Sequence, residues 1–141
     1  MSPDQKRLAR LKRLEKLRAI AKQTAATEAA QAESTLSQLR ALSDRTRQLA
    51  TDYGARREAA DGAALHHVVR FVAGLQTLSR TTDGDALRAQ SVADARQQAL
   101  AEAERRRAAI DDRAARQERR IASKAQAPVL TGRKASGTDL E

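Results

Sequence analysis

The sequence predicts an all-α protein, a long antiparallel two-helix coiled-coil hairpin with a flexible C-terminal tail. Three observations carry that expectation. First, the 141 residues include no Cys or Trp, one Phe and one Tyr, and much of the apolar content is alanine. Alanine buries too little surface to offset the ordering entropy of a globular chain, about 1–2 kcal/mol per residue for the backbone alone. A mixture dominated by Ala, Glu, Lys, Leu, Arg and Gln instead favours long helices. Second, proline, the strongest helix breaker, occurs only at Pro3 and Pro128. Third, a seven-residue repeat runs from Leu65 to the end of the proline-free stretch. One row is Leu65, Val72, Ser79, Ala86, Ala93, Leu100, Arg107, Ala114 and Ile121; its companion is Val68, Leu75, Thr82, Ala89, Arg96, Ala103, Ile110, Gln117 and Lys124.

The first helix is expected over about 3–59. Ser2 fits the N-cap, Pro3 the first helical position, and Asp4 the first turn, where the helix dipole favours a negative charge. Its seam reads Ala25, Ala29, Ala32, Leu36, Leu39, Thr46, Ala50 and Tyr53, widened by Leu42 and Leu49. Two glycine-containing segments could turn the chain, "AADGAA" (59–64) and "TTDGD" (81–85). The heptad passes through 81–85 without insertion or deletion, so that segment is a weakened place in a continuous helix, where one Gly costs about 1 kcal/mol. The turn is therefore placed at about 60–62 and the second helix at about 63–126. Together these make one hairpin domain over 1–127, and "PVLTGRKASGTDLE" (128–141) has the composition of a flexible tail. Many seam positions are Ala, Ser, Thr, Arg or Gln, which predicts a thin hairpin of marginal stability.

No residue pattern points to catalysis, a metal or a cofactor. His66 and His67 are adjacent, so on a helix their rings diverge by about 100° and cannot share a metal as an i, i+4 pair does. The sequence has no Gly-rich phosphate loop and no acyl-transfer triad order. Glu102, Glu104, Asp111 and Asp112 lie among arginines, as solvated charge patterning does. No stretch reaches the roughly 18–20 apolar residues of a membrane span, and "MSPDQKRLARLKR" lacks a signal-peptide core, so a cytoplasmic protein without membrane insertion is expected.

Charge and hydropathy are unevenly distributed. Lys+Arg number 27 against 18 Asp+Glu, and cations concentrate in residues 1–22 and in "ERRRAAIDDRAARQERR" (104–120), which an antiparallel hairpin sets side by side. Such a basic surface could bind phosphates, but neither arm has an aromatic residue on which a base could stack, which counts against nucleic acid. In "RLARLKRLEKLRAI" (7–20) the apolar residues recur every third position, so they wind around the helix by about 60° per step. Leu8 and Leu17 fall on nearly opposite sides, unlike the single apolar face of a membrane-surface helix. By contrast, "LHHVVRFVAGLQTL" (65–78) is the most apolar stretch and holds the single Phe. Val69, Phe71 and Leu78 lie beyond its seam, which implies an exposed patch for another protein.

The succession of "RLEKLRAIAKQTAATEAAQAESTLSQLRAL", a turn, "VVRFVAGLQTLSRT" and a charged second helix ending "ERRRAAIDDRAARQERR" resembles the FliJ family over roughly residues 5–125. These are small coiled-coil stalk proteins of the bacterial flagellar type III export apparatus, with YscO-like relatives in injectisomes. The most specific shared feature is Phe71, Leu75 and Leu78 soon after the turn. The chain departs from the family in being richer in Ala, poorer in aromatics, and weakened at "TTDGD". The resemblance implies a non-enzymatic cytoplasmic protein, peripheral to the inner-membrane export apparatus and free of cofactors. Its implied partners are the hexameric export ATPase and the cytoplasmic domain of the export gate protein, with export chaperones as further associates. Lys6, Arg7, Arg10, Lys12, Arg13, Arg106, Arg113 and Arg120 would then face the ATPase ring, and Val68, Phe71, Leu75 and Leu78 the gate. The competing expectation is a basic coiled coil that associates with nucleic acid or serves as a general structural adaptor.

Overall fold

A computed structural model describes residues 1–55 and 62–138, with side chains through residue 126. It contains two α-helices, α1 (Pro3–Ala55) and α2 (Gly62–Thr138), and no strand among the described residues. The helices pack against each other as the two arms of a hairpin. The start of α1 is a capping box: the Gln5 N–H donates to Ser2 Oγ at 3.2 Å, and the Ser2 N–H donates to Gln5 Oε1 at 3.1 Å. Two donors that the first turn would leave unpaired are thereby satisfied. The predicted cap is present, and Gln5 is the reciprocal member that the sequence reading left out.

Burial along α1 follows an unbroken alternation of four- and three-residue steps. Asp4, Leu8, Leu11, Glu15, Arg18, Lys22, Ala25, Ala29, Ala32, Leu36, Leu39, Ser43, Thr46, Ala50 and Tyr53 are all buried or half-buried. This is the spacing of a coiled-coil seam. Ser43 fills the gap between Leu39 and Thr46, while Leu42 and Leu49, expected to widen the seam, are exposed. On α2 every buried described residue (Ser79, Thr82, Ala93, Ile110, Ala114 and Gln117) falls on the two predicted rows. The helix is continuous through 81–85, as the uninterrupted register requires.

Two differences concern the ends. Residues 56–61, which include the predicted end of the first helix and most of the turn at 60–62, lie outside the described residues, and Gly62 already belongs to α2. The expected break at Pro128 is not seen, and α2 runs on to Thr138. Pro128 removes one backbone donor, whereas Leu130, Arg133, Lys134 and Ala135 beyond it are favourable or tolerated in helices.

The chain divides into two compact units. The first combines Met1–Ala25 with Leu100–Glu141. There Lys124 Nζ lies 2.7 Å from Asp4 Oδ2, Gln117 Nε2 donates to the Asp4 carbonyl at 3.1 Å, and Lys12 Nζ lies 2.8 Å from Glu118 Oε1. The second is Ala26–Ala99, in which Glu28 pairs with Arg96 at 3.0 Å, Arg40 donates to Gln90, and Arg47 pairs with Asp83 at 3.2 Å. In each unit partner numbers on α2 fall as those on α1 rise, so the helices are antiparallel.

Both seams are thin. Leu36 in the second unit and Ile110 in the first are the only large apolar side chains among the buried described residues; the other apolar ones are Ala29, Ala50, Ala93 and Ala114. Buried hydroxyls meet their hydrogen-bonding needs locally. Thr46 donates to the Leu42 carbonyl at 2.8 Å and Thr82 to the Leu78 carbonyl at 2.7 Å, while Ser43 donates across to Asp83. The first unit goes further and places Glu15, Arg18, Lys22 and Arg107 at seam positions. There Glu15 Oε2, Arg107 Nε and the neighbouring Asp111 Oδ1 are buried without a hydrogen-bond partner.

Candidate functional site

In each unit the seam separates two flanks of different chemistry. Residues one step after the second seam position of each heptad meet across one flank, giving Lys12–Glu118 in the first unit and Arg40–Gln90 and Arg47–Asp83 in the second. The helices satisfy one another there. Residues one step before the first seam position occupy the opposite flank, as the antiparallel arrangement dictates, and most of this flank is uncovered, although Glu28 on it pairs with Arg96.

In the second unit this flank is largely apolar, with Glu28, Thr35 and Asp85 as its polar members. It carries Leu42 and Leu49 from α1 and Phe71, Leu78 and Val92 from α2, all of them exposed. The four predicted patch residues divide accordingly: Val68 and Leu75 are half-buried in the seam, whereas Phe71 and Leu78 look outward. The Phe71 ring packs edge-on against Tyr53, with centroids 5.0 Å apart and planes at 71°, yet half of the residue stays exposed. An aromatic pair of this kind orients the ring and leaves one face available. Leu42, Leu49 and Val92 are additions to the site. Their signal was present in the sequence, since 42 and 49 are one heptad apart and each precedes a seam residue. A second feature, a mostly apolar groove of about 590 Å³, is lined by Gly54, Leu65, Val68, Val69, Val72, Ala73 and Gln76. A Cβ added at Gly54 would meet nothing within 4 Å, so the glycine keeps this groove wide.

In the first unit the corresponding positions are Arg7, Leu14, Arg106, Arg113 and Arg120. Arg7, Arg113, Arg116 and Arg120, together with Leu11 and Gln117, line an open groove of about 310 Å³. Three of the eight predicted basic residues therefore converge, and Arg116 joins them. It lies three residues after Arg113 and four before Arg120, the spacing that places side chains together on a helix. The other five do not join the groove. Lys12 is paired with Glu118 and Arg106 with Glu102, while Lys6, Arg10 and Arg13 are exposed on the outer side of α1. Leu14, Leu17 and Ile20 are exposed on the same helix, the last two at 60% and 64%, as their winding predicted.

Two titratable groups of the first unit are shifted. The hydrogen bond from Lys124, reinforced by its charge and by Gln117 and Arg120, outweighs partial desolvation and holds the Asp4 carboxyl below its ordinary pKa. The hydrogen bond to Glu118, then the charges of Glu118 and Glu15, push the Lys12 ammonium above its own. Both shifts express pairing between the helices. No group of three or more His, Cys, Asp or Glu among the described residues could hold a metal ion, and His66 and His67 are both exposed. No described helix is long and apolar enough to cross a membrane. Comparison with protein-family models, curated proteins and solved structures finds no match.

Proposed function

We propose that the chain is a non-catalytic coiled-coil stalk component of the bacterial flagellar type III export apparatus. In this role it works in the cytoplasm at the inner-membrane export machinery, inserts into the hexameric export ATPase, links it to the cytoplasmic domain of the gate protein, and handles export chaperones. The observation that carries the proposal is the contrast between the exposed flanks of the two units, one largely apolar and the other rich in arginine. A stalk has to engage two partners of different chemistry without reacting with either. An apolar flank anchored by an exposed aromatic suits a protein–protein contact, where such residues concentrate binding energy. The arginines suit an acidic protein surface.

The test is co-purification of the full chain with the export ATPase and with the gate protein's cytoplasmic domain from the same organism. The unaltered protein is expected to bind both. A Phe71→Ala/Leu78→Ala variant should lose the gate domain, by about 2–4 kcal/mol if these side chains are anchors, and keep the ATPase. Failure of the unaltered chain to bind either protein would end the proposal.

A further inference from the structure

The arginine groove of the first unit has a property that solubilising charge does not require. Arg7 on α1 and Arg113, Arg116 and Arg120 on α2 line one opening with no Asp or Glu among the lining residues. Arg116 also reaches Asp112 at 2.8 Å and the Arg120 charge acts on the Asp4 carboxyl, whereas Arg7, Arg113 and Arg120 form no ion pair within 4 Å among the described residues. Like charges gathered in this way repel one another until an anion is shared between them. Arg113 and Arg120 are two helical turns apart, about 10.5 Å at 1.5 Å per residue, so one small anion cannot satisfy both. The ligand must carry anionic groups repeated at about that interval.

Guanidinium forks accept carboxylates and phosphates alike, and the surroundings decide between them. Leu11 lines the groove itself, and Leu14 lies one heptad beyond Arg7 on the same flank, followed on the outer face by Leu17 and Ile20. A phosphate backbone gains nothing from exposed leucines. Nor does this unit offer any Phe, Tyr or Trp for a base to stack upon, because the chain's Tyr53 and Phe71 belong to the other unit. We propose that the groove binds an acidic amphipathic helix of a partner protein. Glutamates or aspartates seven residues apart pair with Arg113 and Arg120, a further carboxylate meets Arg7, and apolar side chains of the same helix rest on Leu14 and Leu17. The proposal deepens the stalk function and rests on it only for which protein supplies the helix.

The experiment uses the full chain and two fluorescent probes of similar length. One is a designed helix of about 20 residues with Glu at seven-residue intervals beside a leucine stripe, and the other is a single-stranded oligouridylate of about 20 nucleotides. At about 50 mM salt the peptide is expected to bind more tightly than the RNA, with affinity falling as salt rises. The Arg113→Ala/Arg120→Ala variant should weaken peptide binding by about tenfold or more, the loss of two charge-assisted contacts. Leu17→Ser should weaken it by about threefold while leaving RNA binding unchanged. All three residues are exposed, so helicity should be retained, and circular dichroism checks this. Absence of peptide binding, or equal binding by the double arginine variant, would overturn the proposal. RNA binding as tight as the peptide's and insensitive to Leu17→Ser would overturn it in favour of phosphate recognition. The stalk function fails separately, through loss of the export ATPase contact by the unaltered chain.

Discussion

Asp83 is the residue on which several contacts of the second unit converge. It accepts from the buried Ser43 hydroxyl and pairs with Arg47, and it sits inside the segment that reads in sequence as a weak point. Asp83→Ala would leave the Ser43 hydroxyl buried without its acceptor, a loss of about 1–3 kcal/mol, whereas Asp83→Asn retains an acceptor and should lose less. Urea denaturation of the two variants checks this order. In the first unit, Asp4 and Lys12 set opposite limbs of the pH dependence. The folded chain lowers the Asp4 pKa from 3.8, so its contribution is present above that value and disappears as pH falls through the lower folded pKa. It raises the Lys12 pKa from 10.5, so that contribution is present below 10.5 and disappears as pH rises through the higher folded value. Both groups are solvent-accessible and the effects are small, but Asp4→Asn should flatten the acid limb of denaturation midpoints measured against pH.

At the scale of the helix, register was largely legible in the sequence. Both α2 rows were readable because a heptad survives any number of polar substitutions so long as nothing is inserted, and the buried residues lie on those rows. From Ala25 onward the α1 seam was legible except at Ser43, where a polar residue at a buried position drew attention to its exposed neighbour Leu42. The same shift concealed the apolar flank, since Leu42 and Leu49 resemble seam residues until the register is fixed. The charged seam of the first unit was legible on α2, where Arg107 falls on a heptad row, but not on α1, where Glu15, Arg18 and Lys22 look like ordinary surface residues when apolar residues alone define the stripe. Two substitutions follow from the packing. Gly84 lies mid-helix, and a Cβ there would approach only the flexible Arg88 side chain, at 3.8 Å. Gly84→Ala should therefore stabilise the chain by up to about 1 kcal/mol, seen as a higher urea midpoint. Replacing Glu15 with Leu removes one buried oxygen that lacks a hydrogen bond and places an apolar side chain in the seam. The thermal midpoint should rise, whereas Arg107→Leu alone takes from Asp111 the cation 3.9 Å away and should gain less.

For the whole molecule, two long helices, a thin seam and two unlike uncovered flanks describe a protein whose surface carries more information than its core. The basic arms were evident from composition, but which arginines share a groove depended on their heptad positions. Arg7, Arg113 and Arg120 precede seam residues, whereas Lys6 and Arg13 lie on the outer side of the helix. With only Leu36 and Ile110 as large apolar side chains among the buried described residues, a partner that covers either flank adds apolar burial to a thin seam. Binding to the folded chain should therefore raise its apparent stability. The most direct test of the stalk function is steady-state ATP hydrolysis by the export ATPase of the same organism, measured with and without the full chain. Turnover should rise on addition of the unaltered protein and of Phe71→Ala/Leu78→Ala, and fall back towards the unaided rate with Arg113→Ala/Arg120→Ala. Turnover unchanged by the unaltered protein would contradict the account.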